Sequence, residues 1–241
     1  MKIINGKNKR TLVIGDMHMP YQHPDALKFL EAIKRKYKPD IVINAGDEVD
    51  GHAISFHPTD SDLASAGDEL QKAIDIIHSP KGLYKLFPKM DLLESNHGSL
   101  HIRKAKANGI PLRYIKSYQE IYDTPTWSWY DDIILKTKLG DVYLCHGKSG
   151  MYNKMSKEMG MSCIQGHYHS KFEVTWTKTA LSERFNAFTG CLIDQRSLAF
   201  AYSKTNLPVA LLGSIVVSRE GYPRLIKMQL NSKNRWDGKL P

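Results

Sequence analysis

The chain has 241 residues, 41% hydrophobic and 24% charged, with a net charge of +9, a make-up expected of one globular α/β domain over residues 1–241. No apolar run reaches the roughly 20 residues that span a bilayer, and Met1 to Arg10 lacks the apolar core of a secretory leader, so a cytoplasmic protein without membrane contact is expected. Cys145, Cys163 and Cys191 are odd in number and lack CxxC spacing, which argues against a disulfide framework or a thiolate zinc site and suits small buried residues.

Thr11 to Ile14 reads as a buried strand running into Gly15-Asp16-Met17-His18. Pro24 opens a helix with Ala26, Leu30, Ile33 and Tyr37 on one face, and Pro39-Asp40 ends it. Ile41 to Asn44 is a second buried strand, stopped by Gly46 and followed by two carboxylates three residues apart, Asp47 and Asp50. A strand–helix–strand unit implies a parallel pair with a right-handed crossover, which brings both strand ends to one edge of a sheet.

Residues 51–61 read as a loop, and Asp62 starts a helix with Leu63, Ala66, Leu70, Ala73 and Ile77 inside. Met90 to Leu93 is a third strand, broken by Glu94-Ser95-Asn96-His97-Gly98, and a polar helix with Arg103, Lys104 and Lys106 follows. Residues 110–132 give no clear pattern. Their Trp127, Trp129 and Tyr130 are expected to pack, with base stacking as the alternative.

Ile133 to Lys136 and Val142 to Cys145 form a hairpin about Leu139-Gly140-Asp141 that runs into His146-Gly147. Met151, Met155 and Met159 mark the buried face of a helix. Cys163 to Gln165 then leads to Gly166-His167-Tyr168-His169, and strand-like runs follow at 172–177, 185–193, 209–217 and 224–230. Alternating strands and helices giving way to meandering strands favours two sheets packed face to face with helices outside.

Five strand ends thus carry Asp, Asn or His. A carboxylate at the mouth of a buried strand is costly to desolvate unless a cation or a donor compensates it. These oxygen and nitrogen donors suit manganese, iron, zinc or nickel. Residues two apart in an extended strand end point the same way, so Asp16 with His18, and His167 with His169, can each serve one site. Two divalent ions roughly 3.5–4 Å apart can clamp a phosphoryl group and acidify a water between them, and Asp47 is placed as the shared carboxylate. A lone histidine is usually structural; the whole set points to hydrolysis of phosphate esters.

Asp16-Met17-His18, Gly46-Asp47-Glu48-Val49-Asp50, Asn96-His97, His146-Gly147 and Gly166-His167-Tyr168-His169, in this order, resemble the calcineurin-like metallophosphoesterases of bacterial and phage type. Phe185 to Gly190 is similar to the Asn-and-Gly segment this family often carries after its last histidines. The resemblance implies a four-layer αββα sandwich of two mixed β-sheets flanked by helices. It implies one ion on Asp16, His18, Asp47 and His169 and a second on Asp47, Asn96, His146 and His167, manganese being the first choice. His97 would be a general acid or charge stabiliser, held by Asp50.

Two departures stand out. Ser95 and Gly98 flank the Asn-His pair where the family usually has glycine and an acid, and Gly51-His52 replaces the Arg-Gly of the protein phosphatases. His52, His101, Arg103 and Lys148 are candidate replacements for the phosphate-gripping arginine. The basic charge favours a polyanion, so the expected substrate is DNA, RNA or a nucleotide cleaved as a diester. The alternatives are a phosphomonoesterase for nucleotides or phosphoproteins, and a catalytically silent binding module.

Overall fold

Short apolar and β-branched runs form twelve strands in residues 1–56, 64–147, 154–197 and 210–241, the parts of the chain that the computed structural model describes. In one sheet β2 (Thr11–Ile14), β3 (Ile41–Asn44), β4 (Met90–Leu93) and β5 (Trp127–Tyr130) lie parallel. β11 (Gly213–Val217) runs antiparallel beside β2 and pairs with β12 (Pro223–Lys227), completing the order β12-β11-β2-β3-β4-β5. The other sheet is mixed, in the order β1 (Lys2–Asn5), β6 (Ile133–Lys136), β7 (Asp141–Cys145), β8 (Ser162–Gln165), β10 (Glu183–Phe188) and β9 (Val174–Lys178).

The period-two alternation of strand side chains sorts the core into layers. Val13, Ile43 and Leu93 meet Leu135, Leu144, Ile164 and Phe185 between the sheets. Leu12, Ile14 and Leu92 turn the other way, onto α1 (Ala26–Tyr37) and α2 (Ala66–His78). On the far side Tyr143, Cys145 and Cys163 pack under Met155 of α6 (Met155–Glu158), and the three cysteines are buried free thiols. This is the αββα sandwich. No helix among the described residues is long and apolar enough to cross a membrane.

Boundaries differ from expectation in a few places. Ser65 caps α2 by accepting the Asp68 N–H, so the described helix begins at Ala66, whereas the expected start at Asp62 and Leu63 lies outside the described residues, as do Lys148 and Met151. β10 stops at Phe188 rather than 193 because Gly190 turns the chain at φ +63°. The unpatterned stretch holds α5 (Tyr118–Tyr122), closed by a Ser117–Glu120 capping box, and β5. Trp127 is fully buried and donates to the Phe87 carbonyl, and Trp129 stacks on Tyr118, so this aromatic run is packing. Two short elements without sequence signal, β1 and α3 (Leu83–Leu86), complete the list with α4 (Leu100–Ala107).

Candidate metal centre

The parallel strands β2, β3 and β4 end at one edge, and β7 and β8, parallel in the other sheet, meet them there. Asp16 is fully buried; its Oδ2 accepts the His167 N–H at 2.7 Å and lies 3.2 Å from His169 Nε2. His18 Nε2 is 3.2 Å from His169 Nε2 and 3.4 Å from Asp47 Oδ2. The same Asp47 oxygen is 3.2 Å from His146 Nε2, while its Oδ1 accepts the His97 N–H at 3.0 Å. Asn96 Oδ1 contacts His146 Nε2 at 2.6 Å and His167 Nδ1 at 3.1 Å.

Two donor groups capable of holding a metal therefore share Asp47: Asp16, His18, Asp47 and His169 on one side, and Asp47, His146 and His167 on the other, with Asn96 against the second. A cation suits this arrangement. Asp16 Oδ1 is buried without a hydrogen-bond partner among the described residues, and the facing Nε2 atoms of His18 and His169 bring two ring nitrogens together. The donors are all oxygen and imidazole nitrogen, as hard or borderline divalent ions require.

The electrostatics agree. Burial opposes charge on His18, but hydrogen bonds and charge from Asp47 and Asp50 outweigh it and hold the imidazole well above its ordinary range. His146 is pushed up to about 9, burial again opposing and Asp47 prevailing. Burial also opposes charge on Asp47, yet the neighbouring His146 and His97 keep its carboxyl well below the usual range. Burial lowers His97 and His167. Positive charge is thus drawn to Asp47, where protons stand in for cations.

Backbone geometry builds the cluster at a cost. His18, Asp47 and His167 take φ of 51°, 49° and 66°, left-handed values that residues with a Cβ seldom adopt and that gather at functional sites. The paired residues are therefore set by left-handed turns and not by the extended strand ends expected from their spacing. At Gly166 an added Cβ would sit 2.5 Å from Asp16 Oδ1, so glycine is required for the strand to pass the carboxylate.

The Asp50 carboxylate faces three rings: its Oδ1 bonds His18 Nδ1 closely and lies 3.3 Å from His97 Nδ1, and its Oδ2 lies 3.9 Å from His52 Nδ1. His97 Nδ1 also contacts the Asp50 backbone carbonyl at 2.6 Å. His52 and Arg103 line the metal cleft with Asp47, Asn96, His97, His167 and His169, whereas His101 lines a neighbouring cavity. Arg103 donates to the Asn96 carbonyl.

Three residues bearing on the site carry little sequence signal. Phe56, 54% exposed, lines the cleft under Arg103 and Lys104. Buried Glu69 accepts the backbone N–H groups of His52 and Ala53 at 2.8 and 2.9 Å, fixing the loop after Asp50. Its place on the buried stripe of α2 with Ala73 and Ile77 is the signal that could reveal it, whereas Ala66, expected inside, is exposed. Glu48 is buried behind Asp47, accepts Trp129 Nε1–H at 3.0 Å, and is pushed up to about 7 by desolvation.

A search of curated proteins gives no match. Among solved structures, vacuolar protein sorting 29 from Cryptosporidium parvum is similar at 14% identity and a TM-score of 0.49, with 97% of this chain and 94% of that one covered. Chaetomium thermophilum Vps29 is similar at 10% identity and a TM-score of 0.45, over 95% and 94% of the two chains. The family profile described as calcineurin-like phosphoesterase matches residues 9–176, a stretch that contains every strand end converging on Asp47. By that match over most of its length, the chain belongs to the calcineurin-like phosphoesterase family.

Proposed function

We propose that this protein is a phosphoesterase that works with two divalent ions, manganese first among them, on a nucleotide or nucleic-acid phosphodiester, its 241 residues acting as one domain. The observation that carries this reading is Asp47 Oδ2, which lies within 3.4 Å of His18 Nε2 and 3.2 Å of His146 Nε2, one from each donor group. Asp16, His18, Asp47 and His169 would hold one ion, and Asp47, Asn96, His146 and His167 the other. When bound, such ions supply Lewis-acid charge to the phosphoryl oxygens and acidify water.

The remaining groups have defined tasks. Asp50, through its carboxylate on His18 and its carbonyl on His97, orients both rings. With Nδ1–H held on that carbonyl, His97 in its imidazolium form offers Nε2–H to the leaving oxygen as a proton donor or to a phosphoryl oxygen as a charge stabiliser. Arg103 and His52 at the cleft receive the anion, and Phe56 beside Arg103 and Lys104 offers a ring face to a base.

The test is turnover and metal content together. Protein supplied with manganese should bind two ions per chain and hydrolyse bis-p-nitrophenyl phosphate faster than p-nitrophenyl phosphate, and then single-stranded DNA. Asp47→Asn should lose both ions and lower kcat/KM at least a hundredfold. Turnover of monoesters alone would move the assignment to a phosphomonoesterase. Two bound ions with every ester left intact would make the chain a binding module.

A further inference from the structure

Strand β9 is an open edge of its sheet and pairs with β10 alone. The Phe188 N–H donates to the Glu173 carbonyl at 3.0 Å, and the Thr179 N–H to the Ser182 carbonyl at 2.8 Å, one bond at each end of the hairpin. Bonded pairs alternate along an antiparallel ladder, so the odd-numbered residues of β9 turn their backbone groups to β10. Val174, Trp176 and Lys178 therefore point N–H and C=O outward, where no backbone partner meets them among the described residues.

Such an edge is a template for another strand, and proteins usually blunt it with proline, charge or a cover. β12 opens with Pro223 and carries Arg224 and Lys227, β1 opens with Lys2, and β5 packs against α5. β9 has no proline, its one charge is the terminal Lys178, and four of its five residues are exposed. Apolar surface flanks the open backbone: the half-exposed Trp176 ring lies 5.3 Å from buried Phe185 and 5.9 Å from exposed Tyr222. Leu181, at the hairpin tip, is almost fully exposed.

We infer that β9 is a dimerisation edge, pairing antiparallel with β9 of a second copy about a dyad at Trp176, so that two six-stranded sheets become one. In this register Trp176 faces Trp176 of the second copy, Val174 faces its Lys178, and every outward N–H meets an outward C=O. A slip of two residues leaves one residue of each strand unmatched. The side chains fit the same dyad. Thr175 falls opposite Thr177 of the second copy, a favourable cross-strand pair. Lys178 falls diagonal to the second copy's Trp176, within reach of the negative face of the indole, and no like charges stand opposite each other. A second copy meets this spacing and this charge pattern by symmetry alone, which an unrelated extended peptide does not. β9 runs against β10, which is parallel to β8, so the two metal clefts open at opposite ends of the joined sheet. Continued past the strands, the register brings Leu181 of the second copy alongside Lys171, two residues after His169.

One strand pair with two indoles is a small contact beside the roughly 1,200–2,000 Å² of lasting complexes, so the dimer forms by mass action in concentrated protein. Sedimentation of the full chain at rising concentration should pass from monomer to dimer. Amide hydrogen exchange read by NMR locates the contact. The Trp176 and Lys178 amides should exchange about fivefold more slowly in concentrated than in dilute protein, while those of Thr175 and Thr177, already bonded to β10, change little. Lys178→Pro removes one outward N–H and leaves every bond to β10 in place, and Trp176→Lys sets two lysines face to face at the dyad. Each variant should stay monomeric at the highest concentration. A parent chain that is monomeric throughout, a dimer whose Trp176 and Lys178 amides keep the dilute rate, or a dimer that survives both variants would overturn the inference.

Discussion

At Gly46 the backbone takes φ +102°, and a methyl group there would lie 2.6 Å from His146 Nδ1 and 2.8 Å from the Ser95 side chain. Gly46→Ala therefore presses on the one histidine that ties Asp47 to Asn96, in a conformation that already costs a residue with a Cβ about 1–3 kcal/mol. The expected result is a lower Tm and one manganese per chain in place of two; two ions at unchanged Tm would show that His146 is not held by this contact. His97 gives the complementary case. His97→Gln should keep both ions yet lose a factor on the order of 10²–10⁴ in kcat on esters with poor leaving groups, and less on nitrophenyl esters. Equal losses on both would assign His97 to charge stabilisation instead of proton transfer. The donors themselves were legible in the sequence because a carboxylate or imidazole after an apolar run has few inexpensive explanations. Their left-handed turns were not, since Asp and His adopt them only where surrounding contacts enforce the choice.

Along α1 the C-terminal residues form a strap that no motif announces. Arg235 pairs with Asp25 through both carboxylate oxygens at the start of the helix, and the Trp236 ring packs on Phe29 at 5.6 Å. At the other end Tyr37 Oη–H donates to the Pro241 carbonyl at 2.7 Å. The Arg235 hydrogen bonds hold the Asp25 carboxyl well below the usual carboxylate range. A depressed native value means that the unfolded chain takes up the proton first as pH falls. The stabilisation is thus complete above the ordinary aspartate value of about 3.9 and is lost below it, through the native value. Asp25→Asn should lower Tm by a constant amount between pH 8 and 5, and the gap from the parent should close below about pH 4. A gap that persisted in acid would mean that the pair adds no charge-dependent stability; half-exposed Arg235 keeps the expected effect small. Elements were legible where burial repeats with one period, as in Thr11 to Ile14 or the α1 stripe. β1 escaped because its burial alternates while its polarity does not: Ile3 is 57% exposed between half-buried Lys2 and Ile4. β5 escaped because its aromatic residues suit a strand, a turn or a surface patch equally until Trp127 is seen closing the edge of the sheet.

The charge of +9 acquires direction only in the folded molecule. Arg103, Lys104 and Lys106 lie on α4, with Arg103 bordering both the cleft and the adjoining surface, where Glu94, Asp131 and Asp132 line the approach to Asn96, His146 and His167. A polyanion reaching the metal centre is repelled along the second path and attracted along the first, so a strand should leave the cleft past Phe56 and over α4. Each contact with a phosphate releases condensed counterions, with a slope in log K against log salt of about −0.7 per phosphate for single strands. Three basic residues on α4 predict a slope of about −2 for binding of a single-stranded oligonucleotide, and Lys106→Ala should reduce it by roughly 0.7. The KM of bis-p-nitrophenyl phosphate, too short to reach α4, should change far less over the same salt range. If oligonucleotide and small diester responded alike, the basic residues would be solvated surface, and the substrate would be a single nucleotide contained in the cleft. A steep slope for the oligonucleotide alone would instead make α4 the track along which a strand is drawn to the metals.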